Sequence, residues 1–289
     1  MLKNKQLLTY CLILLISILA GCKSKFEKLQ ESRDTGKKYK EAIRLYNKGD
    51  YNKALLLFDD LMQTYRGTKD AEDLAFYFAN THYKLKDYPT ARYQFKGFAE
   101  TYPNSPRAEE SRFLSAYCYY LESPNYTLDQ ENTIRAIEAL QLFINLYPKS
   151  ERVAEASTLI NNLRDKLEKK SYANARLFYD IGDYKSAVVA FKNSLRDFPD
   201  TKYAEEMEYL MIKAQQQYAL NSLEIKKEDR LNEAISYATE FEEDHPNSSY
   251  VKEVQAIKKK SEQDIIAVRK LIASLTPQEK VKLTDTTQN

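Results

Sequence analysis

The thiol of Cys22 has the setting that most clearly calls for covalent chemistry. It ends the box Leu19-Ala20-Gly21-Cys22, behind an apolar run from Leu7 to Ala20 broken only by Thr9 and Ser17. Lys3 and Lys5 precede the run. The run falls short of the ~20 apolar residues that a helix needs to span a bilayer. Small side chains at Ala20 and Gly21 leave the backbone open to a transferase and a peptidase. This is the pattern of a bacterial lipoprotein cleavage site. Residues 1–21 then read as a signal peptide, and Cys22 as the first mature residue, acylated (palmitate or a similar chain) on its sulfur and amino group. Each buried CH2 contributes ~0.8 kcal/mol, and stable anchoring takes more than one chain. Lipidated Cys22 would thus hold the body on a membrane surface without a spanning helix. Lys23 follows Cys22, so the aspartate that retains a lipoprotein in the inner membrane is missing. Lys23-Ser24-Lys25 also lacks the acidic run of surface-exported lipoproteins. The expected location is the outer membrane, on its periplasmic face.

The other reactive residue types lack partners. Cys11 leaves with the signal, and Cys118 lies in the apolar stretch Phe113 to Tyr120, which suits a small core residue. The mature chain therefore has no disulfide. His82 and His245 have neither the spacing nor the companions of a metal site. No His-Glu-x-x-His, Gly-x-Ser-x-Gly or phosphate-cradling glycine loop occurs. Asp59-Asp60 and Glu242-Glu243 are adjacent on a helix surface, so their side chains diverge into solvent. The expectation is a protein that is not an enzyme and uses no metal or cofactor. The formal charge of +2 falls to zero once Lys3 and Lys5 leave, and the remaining charges are intermixed. That balance does not support nucleic-acid binding.

The elements are helical. Six glycines in 289 residues are few, and 23 Tyr with 12 Phe need an architecture that buries rings. One phrase recurs. It reads Asp50-Tyr51-Asn-Lys-Ala54-Leu-Leu-Leu-Phe58, then Asp87-Tyr88-Pro-Thr-Ala91-Arg-Tyr-Gln-Phe95, then Asp183-Tyr184-Lys-Ser-Ala187-Val-Val-Ala-Phe191. Weaker copies centre on Ala136 with Leu140 and on Ala234 with Ala238. Copies end at Tyr102-Pro103, Tyr147-Pro148, Phe198-Pro199 and His245-Pro246, whereas the first has Arg66 after Tyr65. Each joint then carries a Ser or Thr at Thr68, Ser105, Ser150, Thr201 or Ser248, suited to accept a bond from the free N–H groups opening the next helix. Glu72, Glu109 and Glu205 add negative charge near the same helix starts.

The Ala, aromatic, Pro spacing of Ala91, Phe95 and Pro103, and of Ala187, Phe191 and Pro199, resembles the second helix of the tetratricopeptide repeat. The alanine sits where paired helices cross, and the aromatic fills the gap to the next helix. Successive alanines lie 37, 45, 51 and 47 residues apart, so each connection exceeds the minimal repeat of about 34. The expected fold is all-α, a helical solenoid of about five pairs from 39 to 274 with a closing helix from Val251 to Ser274. Residues 22–38 read as a flexible lipidated tether, 275–289 as a disordered tail, and Leu121–Asp129 and Asn221–Asp229 as loops. The first helices of stacked pairs line a concave surface that binds extended or helical peptides. Candidate groove residues are Arg44 and Asn47; Tyr77, Asn80, Tyr83 and Lys84; and Asn174, Arg176 and Tyr179. Packing between repeats is the competing role for the aromatics.

A lipobox, five pairs and Tyr-Pro-x-Ser joints (Tyr102 to Ser105, Tyr147 to Ser150) together resemble the BamD family of the β-barrel assembly machinery. The resemblance implies binding to the BamA barrel protein through the C-terminal repeats, contact with other machinery subunits, and capture of unfolded outer membrane protein segments by the N-terminal repeats. A tetratricopeptide adaptor for cell-wall synthesis or envelope integrity is the alternative; no sustained heptad precedes Tyr39 to favour it.

Overall fold

The computed structural model describes residues 24–276. Cys22, the signal segment and residues 277–289 lie outside the described residues. The described chain is all-α. It runs α1 (Lys25–Gln30), α2 (Thr35–Lys48), α3 (Tyr51–Thr64), α4 (Ala71–Lys84), α5 (Tyr88–Thr101), α6 (Ala108–Glu122), α7 (Glu131–Leu146), α8 (Val153–Asp180), α9 (Tyr184–Asp197), α10 (Ala204–Leu220), α11 (Glu224–Asp244) and α12 (Val251–Ser274). Helices α2 to α11 form the five pairs, and α12 is the closing helix.

The chain divides into two compact units. The first comprises the residues up to Pro124 with Gln130–Leu163, and the second Asn125–Asp129 with the residues from Arg164 on. In the first, Ala54, Leu57, Phe58 and Leu61 of α3 pack on Ala42 and Leu45 of α2 and on Leu74 and Phe78 of α4. Ala91 and Phe95 pack with Ala79 and Cys118. Phe113, Ala136, Leu140 and Phe143 join Ala156, Leu159, Ile160 and Leu163. In the second unit Ala175, Ala187, Phe191, Met207, Ile212, Phe241 and Val254 form the main core. The repeat alanines 54, 91, 136, 187 and 234 are all fully buried, as helix crossings at close approach require. Full burial of each repeat Phe stabilises by about 1.5–3 kcal/mol.

The turn inside three pairs follows one rule. Asp50, Asp87 and Asp183 cap the second helix, each accepting the N–H three residues on, from Lys53, Thr90 and Ser186. Gly49 and Gly182, just before the caps, take φ of 85° and 82°. Lys86 holds the same place in the second pair at φ 62°. Tyrosines bracket the turn: Tyr46 meets Tyr51 at 5.5 Å, Tyr83 meets Tyr88 at 6.0 Å and Tyr179 meets Tyr184 at 5.8 Å. Six of the 23 tyrosines are placed there.

Two sequence expectations need correction. Of the expected tether, the described residues 24–38 are not a plain linker, because α1 lies within them and α2 begins at Thr35. Ser24 and Glu27 form a reciprocal capping box. Phe26 and Leu29 of α1 then pack on the first pair's core. The loop expected at Asn221–Asp229 is only Asn221–Leu223, since α11 starts at Glu224. Its added turn is held by Lys227 on Glu224 at 2.6 Å and by the Arg230 guanidinium 4.0 Å from the Tyr218 ring.

Candidate peptide groove

In the first unit, Tyr77 is an inter-repeat packing residue. Its ring meets Tyr46 edge-on at 5.1 Å and stacks with Phe58 at 6.2 Å. Asn80 is buried, with its amide donating to the Phe76 carbonyl at 3.4 Å. Tyr83 lies against Phe95 at 6.3 Å, and burial raises its phenol above the ordinary range. Lys84 is exposed, its ammonium 5.9 Å from the Tyr83 ring. Arg44 is exposed but forked onto Glu41 by two bonds of 2.7 Å. Asn47 is exposed.

In the second unit, Arg176 donates to the Tyr172 hydroxyl at 2.7 Å and to Glu206 at 3.0 Å, with Asp180 at 3.7 Å. Tyr179 packs on the main core. Asn174 is exposed. The structure thus places the aromatic candidates and Asn80 in the packing. It leaves Asn47, Lys84 and Asn174 free to meet a ligand, and Arg44 and Arg176 as tethered cations.

The joints are more ordered than their sequence suggests. Ser105, Ser150 and Ser248 accept the N–H of Arg107, Arg152 and Tyr250. Each hydroxyl then donates to a glutamate at the start of the previous pair. Ser105 reaches Glu72 at 2.5 Å, Ser150 reaches Glu109 at 2.5 Å, and Ser248 reaches Glu205. The residue before each helix stacks on an aromatic of the earlier first helix. Arg107 lies 4.8 Å from the Phe76 ring and Arg152 lies 4.4 Å from Phe113. Tyr203 stacks on Tyr172 at 4.6 Å, and Tyr250 on Tyr209 at 4.3 Å. The recurring Ser and the Arg or Tyr two residues on signal this arrangement. Their partners lie more than thirty residues away, so sequence spacing alone did not pair them.

The histidines are also accounted for. His82 Nδ1 lies 2.9 Å from Asp87, and His245 Nε2 lies 2.8 Å from Glu208. No group of three or more metal-ligating side chains gathers among the described residues. No helix among them is long and apolar enough to cross a membrane.

The model of the YfiO family, described as an outer membrane lipoprotein, matches residues 31–231. The chain belongs to that family. The YfiO match runs from the end of α1 into α11, so it takes in both units. The chain is 23% identical over 222 residues to the outer membrane protein assembly factor BamD of Caulobacter vibrioides, covering 76% of this chain and 73% of that one. It is 22% identical over 260 residues to the BamD of Neisseria gonorrhoeae, covering 86% and 94%. Among solved structures it is similar to the TPR2AB-domain:pHSP90-complex of yeast Sti1, with a TM-score of 0.36 and 12% identity over 79% of this chain and 98% of that one.

Proposed function

We propose that this chain is a non-catalytic, lipid-anchored component of an outer membrane β-barrel assembly complex. The observation that carries the reading is the family match over residues 31–231, together with relatives named as assembly factor BamD. In this reading the C-terminal helix pairs bind a BamA-like barrel protein and other subunits. The first helices of the N-terminal pairs receive extended segments of unfolded outer membrane proteins, with Asn47 and Lys84 as free polar contacts. Asn174 and Arg176 offer the same chemistry in the second unit. A rigid surface that recognises an extended segment needs no catalytic group. Acylated Cys22 keeps that surface beside the periplasmic face of the outer membrane.

Affinity purification from a detergent extract of the envelope tests the reading. A BamA-like barrel protein is expected in near-equal amount, and depletion of this chain is expected to lower outer membrane barrel proteins as a class. Recovery of peptidoglycan factors alone, with a selective septation defect, would replace the reading with the cell-wall adaptor. Cys22→Ala is expected to release the protein from membrane pellets; sedimentation that resists carbonate would place the anchor elsewhere.

A further inference from the structure

The first joint departs from the three serine joints, and a cleft lies there. Arg66 stands where later repeats have proline. The Thr68 hydroxyl turns back to the Tyr65 carbonyl at 2.8 Å instead of reaching an earlier helix. Asp70 replaces the stacking Arg or Tyr, and Tyr39, left without that partner, stacks on Tyr65 at 5.6 Å. Beside this joint, lined by the end of α3, the start of α4 and α5, is a cleft of about 910 Å3, within the first unit. Pockets of ~300–1,000 Å3 are the size that holds small ligands and peptide side chains.

The cleft is lined by small and aromatic side chains together. Its floor includes Ala71, Ala75 and Gly97. Gly97 sits inside α5, and a Cβ built on it meets nothing within 4 Å. A mid-helix glycine is less favourable than alanine, and here no close packing demands it. Its effect is to keep the floor open. Tyr65, Tyr93 and Tyr102 stand around that floor, and Tyr93 is 74% exposed. Arg66 on one side and Lys96 on the other are exposed and form no ion pair among the described residues. The one lining carboxylate, Glu100, lies 3.5 Å from Arg112.

We propose that this cleft binds a short extended peptide segment of another protein, one carrying an acidic side chain next to aromatic ones. The apolar rings would rest on the small-residue floor between the tyrosines, where aromatic pairs attract beyond simple burial. The carboxylate would complement Arg66 and Lys96. The lining stretch of α5, from Tyr93 to Thr101, rises ~1.5 Å per residue, or roughly 12 Å, which spans about four extended residues at ~3.3 Å each. This site, lined by α3, α4 and α5, shares no residue with the candidate groove and does not rest on the assembly reading.

The test uses the full-length protein in detergent and fluorescein-labelled, terminally blocked pentapeptides: Ser-Phe-Asp-Phe-Ser, Ser-Phe-Lys-Phe-Ser and Ser-Ser-Asp-Ser-Ser. Fluorescence anisotropy should show the acidic aromatic peptide binding at least roughly tenfold more tightly than the other two. Gly97→Leu, which fills the open floor, should abolish that preference while the helical circular dichroism and Tm hold. The double variant Arg66→Glu, Lys96→Glu should invert it in favour of the lysine peptide. Equal binding of all three peptides, no binding of the acidic one up to about 1 mM, or unchanged binding by Gly97→Leu overturns the proposal. So does a concentration-dependent dimer in ultracentrifugation that Gly97→Leu dissolves, since a second copy would then be the occupant.

Discussion

The Ser150 hydroxyl donates to the Glu109 carboxylate at 2.5 Å while accepting the Arg152 N–H at 3.1 Å. One side chain thereby ties the start of α8 to the start of α6. Glu109 lies in the first turn of α6, where a negative charge is favoured by the helix dipole. The serine extends that favourable position across a whole helix pair. The same device joins Ser105 to Glu72 and Ser248 to Glu205.

Breaking it should cost more than a surface bond. Ser150→Ala is expected to destabilise the first unit by about 1–2 kcal/mol, because a charge-assisted bond and a helix-start acceptor are lost together. Glu109→Gln should cost less, since the amide oxygen still accepts. The double variant measured by urea denaturation should show coupling of at least ~0.5 kcal/mol. Strict additivity would mean that the two groups act independently.

The five pairs, their order and the joints were legible in the sequence because alanine at a crossing, proline after a helix and Ser or Thr before one each answer a local geometric demand. Arg44, Tyr77 and Tyr179 show where legibility ended. Helical spacing assigns each to a first-helix face, but only packing decides its state. Tyr77 is taken up by Tyr46 and Phe58, and Arg44 by Glu41. The helix within the tether was legible in principle as Ser24-x-x-Glu27, a capping box hidden in a polar stretch. The open cleft was not legible, because it depends on Gly97 facing the joint after α3, a juxtaposition that spacing does not give.

Lys86 carries a residue in a conformation its counterparts give to glycine. Its φ of 62° matches the left-handed region of Gly49 and Gly182, which costs an L residue with a side chain about 1 kcal/mol. The exposed Lys86 side chain forms no ion pair among the described residues. Lys86→Gly is therefore expected to stabilise the first unit by roughly 0.5–1 kcal/mol, read as a raised urea midpoint. A lowered midpoint would mean that the lysine side chain contributes more than the strained backbone costs.

The Asp87 cap gives the second pair an acid limit. Burial pushes its carboxyl up, yet the bonds from Thr90 and His82 outweigh that, and the net value is below the usual carboxylate range. A depressed folded-state value contributes stability that is present above the unfolded value of ~3.9 and is lost as pH falls through the folded one. Asp87→Asn keeps a capping oxygen but removes the charge. Thermal unfolding of the variant should therefore fall less steeply than wild type below about pH 4. Parallel acid limbs would show that the Asp87 charge is not what is being titrated.

Cys118 should be chemically silent in the folded protein. Its side chain is fully buried beside Ala79, Ala91 and Phe95. Burial, with the nearby Glu122 carboxylate adding and Arg92 opposing, pushes the thiol up to about 12. The thiolate is the nucleophile, so at pH 8 only about one thiol in ten thousand is reactive even before access is considered. Iodoacetamide should leave Cys118 of a Cys22→Ala protein unmodified in buffer and alkylate it in strong denaturant. Because Cys118 lies on α6 within the first unit's core, the labelling midpoint in urea should coincide with loss of that unit's helical signal. Labelling well before that loss would mean that α6 opens locally, and that the contact of Cys118 with α4 and α5 is weaker than its burial implies.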